Sequence, residues 1–113
     1  MRKLIATITL FTITTSSYAA NWMCDNKSDQ REYDQCYEYA VNGGLTRMKK
    51  NYDIIMASSK VPQSEKDYIP KAHKKWWKEV NKRCSDNTCY YGYISTRNNE
   101  IEQYMVKRGL NPI

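Results

Sequence analysis

The run HKKWWKEVNKRCSDNTC, residues 73–89, gathers the only histidine, two of the three tryptophans and two of the four cysteines of the chain. Three chemistries use such residues: a metal site, a thiol nucleophile with a histidine base, and a basic patch for polyanions. A structural zinc site needs about four ligands in paired spacing. Cys84 and Cys89 form one loose pair and His73 lies about three helical turns before it, so the spacing argues against a metal. A cysteine held in a bridge has no thiolate to attack with. His73 then reads as a packed or capping ring rather than a general base. No Gly-x-Ser-x-Gly element, phosphate-binding loop or metalloprotease motif occurs anywhere in the chain. The expectation is a protein without an active site, a metal or a cofactor, and not an enzyme.

What positions these residues begins with residues 1–19, which read as a signal peptide. Arg2 and Lys3 precede an apolar, threonine-rich stretch from Leu4 to Ile13, too short to span a bilayer. Ser17-Tyr18-Ala19 supplies the small residues of a cleavage site. Cleavage after Ala19 would leave one domain, residues 20–113, without a lipoprotein box at Cys24 and without stable membrane insertion. The location implied is the periplasm or the medium, and export argues against nucleic acid as a partner. In an oxidising compartment an even number of cysteines reads as a disulfide framework. Cys24, Cys36, Cys84 and Cys89 allow three connectivities, of which the short gaps favour Cys24–Cys36 and Cys84–Cys89. Losing Arg2 and Lys3 leaves 16 basic against 12 acidic residues, a net charge of +4, with nine Tyr, three Trp and no Phe.

The punctuation of the domain is helical. Asp29 followed by Glu32 forms a capping box, and Tyr33, Cys36, Tyr37 and Ala40 recur at helical spacing until Gly43-Gly44, which reads as a terminator. A second helix would bury Leu45, Met48, Tyr52, Ile55 and Met56 and break at Ser58-Ser59-Lys60. Pro62 suits the first turn of a third helix, with Ser64 and Asp67 as a capping pair. Pro70 must either bend that helix or mark its true start. Ile69, His73, Trp76, Val80 and Cys84 share one stripe. After Asp86-Asn87, Tyr90, Tyr93, Arg97, Ile101 and Tyr104 mark the face of a fourth helix ended by Gly109. The fold class expected is all-α, a small antiparallel bundle of about four helices stapled by two disulfides. Arg97 interrupts an aromatic and aliphatic face. It needs a carboxylate if buried, from Glu32, Asp34 or Glu100, and none if its head snorkels to water.

The order of these motifs resembles the lysozyme-inhibitor LprI-type N-terminal domain family of small exported helical proteins from bacterial envelopes. Gln30, Glu32, Asp34 and Cys36 match its first motif, and Met48 and Tyr52 its second. Trp76 and Cys84 match the third, and Cys89, Arg97, Glu100 and Ile101 the last. His73, Val80 and Asn81 stand where the family has glutamine, arginine and aspartate, as in a divergent member. The resemblance spans most of residues 24–105. It implies a core Trp76, a Cys84–Cys89 bridge fastening the last helical corner, and a buried Arg97 ion-paired with Glu32.

It also implies inhibition of lysozyme-type muramidases or other peptidoglycan hydrolases, or an immunity role against wall-cutting toxins. Muramidases work with carboxylates in a deep cleft, which a basic, aromatic surface can meet, since interfaces favour Tyr, Trp and Arg. A +4 domain is repelled by a strongly basic lysozyme, so an acidic or neutral hydrolase is the easier protein partner. Candidate contacts are Lys60, Lys74, Trp77 and Lys78. The Trp77 ring either lies partly in water as an anchor or covers the neighbouring helix. The competing function is non-catalytic binding of anionic envelope polymers or lipid headgroups through Lys74, Lys75, Lys78, Lys82 and Arg83. The plainest alternative is a charged face kept for solubility.

Overall fold

A computed structural model describes residues 23–113 of the chain. The expected signal peptide, residues 1–19, and its cleavage site lie outside the described residues. A helical turn at 23–25 precedes three long helices: α1 (Gln30–Ala57), α2 (Gln63–Arg83) and α3 (Asn87–Lys107), with no strand among the described residues. Asp29 caps α1, its carboxylate accepting from the Arg31 N–H at 3.3 Å. Asp86 caps α3 by accepting from the Cys89 N–H at 2.9 Å. Each relieves one of the orphan donors at a helix start. Gly109, with φ +73°, closes α3. Its N–H bonds Val106 O and that of Leu110 bonds Met105 O, the paired bonds of a left-handed C-terminal stop.

Two boundaries differ from the sequence expectation. Gly43-Gly44 does not end a helix: α1 runs through both glycines for 28 residues. The reason is tertiary. A Cβ on Gly44 would lie 2.6 Å from Ile94 Cγ2, and Asn98 Nδ2 donates to Gly44 O at 3.0 Å. Gly44 is thus where α3 lies against the backbone of α1, a contact that only the smallest residue permits. The second difference is at α2, which begins at Gln63 and passes unbroken through Pro70. The proline leaves the Lys66 carbonyl without its usual donor. Pro62 is the N-cap and no side chain caps the helix, because proline carries no side-chain acceptor; Asp67, of the expected capping pair, accepts from Gln63 at 2.9 Å.

The chain forms a small bundle in which consecutive helices are antiparallel, so that α1 and α3 run parallel. Their shared core holds Val41, Met48 and Ile55 of α1, Ile94, Ile101 and Met105 of α3, and Val61 of the link. Met56, expected inside, is 40 % exposed, while Asn51 and Asn98 are buried. On α3 the buried stripe is Ile94, Asn98, Ile101 and Met105. Of the stripe read from sequence, Ile101 lies in this core, while Tyr90, Arg97 and Tyr104 turn toward α2. Helix α3 therefore has two packed faces, one for each neighbour. Helix α2 is the outlier, with Val80 its only fully buried residue.

Both bridges form as expected, Cys24–Cys36 and Cys84–Cys89. The first holds the 23–25 turn on α1, where the buried Tyr37 hydroxyl donates to Asp25 at 2.8 Å. Burial, and then the Asp25 acceptor, push that phenol above its ordinary range. The second fastens the α2–α3 corner. Two disulfides are the chemistry of an oxidising, extracytoplasmic compartment. Among the described residues no helix is long and apolar enough to cross a membrane.

Candidate functional site

Helix α2 reaches its neighbours largely through rings. Tyr52 of α1, His73, Trp76 and Trp77 of α2, and Tyr90 of α3 form a continuous series with centroids 5.1, 5.6, 5.7 and 5.7 Å apart. His73 is a packed member of this series. Burial and then the positive charge of Arg97 hold its pKa below the ordinary histidine value, so the neutral ring is favoured near pH 7. Trp77 is half-buried between Trp76 and Tyr90 and covers the neighbouring helix, so its ring is committed to packing.

Arg97 lies with its guanidinium carbon 5.5 Å from the centre of the Trp76 ring, within cation–π range. Its carboxylate partner is not Glu32 but Glu100 of its own helix, at 4.0 Å, and the Arg97 side chain is 24 % exposed. Continuity of α1 explains the correction. Arg97 lies next to Asn98 in sequence, and Asn98 meets Gly44. Glu32 is twelve residues before Gly44, about 18 Å along a straight helix. A chain that reversed at Gly43-Gly44 could have shortened that distance; a continuous helix cannot.

Beside the ring series lies a cleft of about 370 Å³ between the three helices. Its walls are almost wholly apolar, formed by Ile55 and Tyr52 of α1, Ile69 and Ala72 of α2, and Ile101 of α3, with Arg97 and Glu100 at one side. Glu65 and Tyr104 close another side. Glu65 accepts from the Tyr104 hydroxyl at 2.6 Å and from Arg108 at 2.5 Å. The Tyr104 bond first, and Arg108 with it, hold the Glu65 carboxyl below the usual carboxylate range. Burial and the Glu65 bond push the Tyr104 phenol up to about 12. Three polar atoms around the cleft and the ring series are buried without a hydrogen-bond partner among the described residues: Tyr52 Oη, His73 Nδ1 and Arg97 Nε. Sequence reading missed this cleft. Its one signal was Ala72, a small residue on the inner side of α2 among Ile69, His73 and Trp76.

The opposite face of α2 is a lysine rail. Lys71, Lys74, Lys75, Lys78 and Lys82 recur at helical spacing and all are exposed, so they form one stripe about 16 Å long. Lys82 lies 3.6 Å from Glu79; the other four have no ion-pair partner among the described residues. The structure therefore brings Lys74 and Lys78 together. Lys60 is set apart in the α1–α2 link, where its ammonium donates to Gly109 O at 3.0 Å. Among the described residues there is no free cysteine and no group of three or more His, Cys, Asp or Glu able to hold a metal ion. No family model, curated protein or solved structure matches the chain.

Proposed function

We propose that the chain is a periplasmic or secreted binding protein, without catalysis of its own, that inhibits a peptidoglycan hydrolase by lodging a basic helix in its carboxylate-lined cleft. The observation that carries this reading is the lysine rail of α2. Four of its lysines have no carboxylate partner among the described residues, and the rail stands on the side of the helix opposite the rings. Wall-cutting glycosidases need two carboxylates flanking the bond they break, and a line of ammonium groups on a rigid rod can meet them. The resemblance of the chain's motif order to that of lysozyme-inhibitor domains supports the same reading.

A turbidity assay of wall lysis tests it, using a panel of muramidases, amidases and endopeptidases with and without a molar excess of the disulfide-bonded protein. The expected result is inhibition of at least one enzyme, weakened by Lys74→Glu and Lys78→Glu without change in the thermal melt. Full activity of every enzyme, with no binding at micromolar concentration, overturns the proposal. Trp77→Ala is a poor probe of contact, because Trp77 is packed between two rings and its loss would lower stability.

The run of the rail along one face of a helix favours one alternative: a linear anionic polymer or a headgroup surface laid along α2. Surface charge pairs are screened once salt shortens the Debye length to about 8 Å. Polymer binding should then fall steeply with salt, while a cleft-filling contact should persist.

A further inference from the structure

The cleft under α2 takes no part in the lysine rail, and of the ring series only Tyr52 lines it. Its volume of about 370 Å³ is at the small end of the roughly 300–1,000 Å³ typical of small-molecule sites. Four aliphatic side chains supply an apolar interior, and a single permanent cation, Arg97, stands at its wall.

That cation is under-used. A guanidinium carries five donors in a planar fork that matches a carboxylate. Arg97 Nε is buried without a partner among the described residues, so the donors a ligand can reach are those of the two terminal nitrogens, on a side chain 24 % exposed. Glu100, at 4.0 Å, lies beyond direct hydrogen-bond distance. Glu100 is also the more exposed of the two, 54 % against 24 %, so it is free to turn into water. Arg97 is held in place over the Trp76 ring. The other cation nearby, Arg108, is already engaged by Glu65 and lies over Tyr104, 3.7 Å from the ring centre. An apolar cleft with one fixed, unsatisfied guanidinium at its edge selects a ligand with an apolar body and an anionic end.

We propose that the cleft binds a small amphiphilic carboxylate, its apolar body among Ile55, Ile69, Ala72 and Ile101 and its head group on the Arg97 fork. This site is separate from the hydrolase contact and stands or falls without it.

Titration calorimetry on the disulfide-bonded protein tests the proposal with three probes sharing one chain: decanoate, decanol and decylamine. Decanoate should bind one to one, at least tenfold more tightly than either of the others. Arg97→Gln should bring decanoate down to the affinity of decanol and leave decanol unchanged. Ala72→Trp, which fills the cleft from α2, should weaken both. The head-group comparison uses the unaltered protein, so it stands even where a variant folds poorly. Absence of saturable decanoate binding, or tighter binding of decylamine through Glu100, overturns the proposal. So does decanoate affinity untouched by Ala72→Trp in a protein that melts normally.

Discussion

Alanine at Gly44 and alanine at Gly43 should change stability in opposite directions, although the residues are adjacent and both lie inside α1. Replacing a helical glycine by alanine gains about 1 kcal/mol from propensity alone. At Gly43 nothing lies within 4 Å of the added Cβ, so Gly43→Ala should keep that gain, about 0.5–1 kcal/mol. At Gly44 the new Cβ would sit 2.6 Å from Ile94 Cγ2. Ile94 is wholly buried and β-branched, so in a helix it is held to one side-chain rotamer. Relief must come from moving α1 and α3 apart, which stretches the 3.0 Å bond from Asn98 to Gly44 O. Overpacking costs about 1–3 kcal/mol and a weakened buried hydrogen bond about 0.5–1.5 kcal/mol. Against the propensity gain, Gly44→Ala should lose about 0.5–3.5 kcal/mol net. For a domain of this size each kcal/mol is about 4–8 °C in Tm, so thermal melts by circular dichroism separate the two variants, and urea melts give the free energies. Equal losses at both positions would rule out a close seat of α3 on Gly44. They would mean that the glycine pair ends a helix in a left-handed turn rather than seating α3 on a continuous one.

Acid should weaken the fold in two steps. His73 is held below its ordinary pKa of 6.5 by burial and Arg97, so the unfolded chain binds the extra proton first. Stability should be full above about pH 6.5 and fall below it; urea midpoints at pH 7.5 and 5.5 should differ in the parent and much less in His73→Phe. Glu65 is likewise depressed, by Tyr104 and Arg108, so its contribution is present above its unfolded value of 4.5 and is lost as pH falls through the folded one. Glu65→Gln should flatten that second step in a pH series. Replacing both cysteines of a bridge by serine should cost about 3 kcal/mol for Cys24–Cys36 and about 2 kcal/mol for Cys84–Cys89, following their separations of 12 and 5 residues; reversed losses in urea melts would show that native packing, not loop closure, sets their worth. Asn98→Ala should lose about 1–3 kcal/mol in the same assay, while Asn99→Ala, one residue further round α3, should stay within about 0.5 kcal/mol.

The features legible in the sequence are local ones. Apolar spacing, Asp29 as a cap, Asp86-Asn87 as a turn and Gly109 as a stop specify helices and their ends, because capping and amphipathicity act within one or two turns. Two short cysteine gaps in a chain that reads as exported pointed to the observed bridges, since nearby cysteines close the smallest loops. The lysine stripe of α2 could be read in the same way, from periodicity. Tertiary structure decided the rest. Gly43-Gly44 has the local signature of a helix end, and only the seating of Ile94 and Asn98 against Gly44 makes it the middle of one. That continuity carries Glu32 away from Arg97 and leaves the guanidinium beside a cleft instead of a buried carboxylate. The cleft itself belongs to no segment. It exists because Ala72 is small where three helices meet, a property of packing between distant residues that no local pattern records.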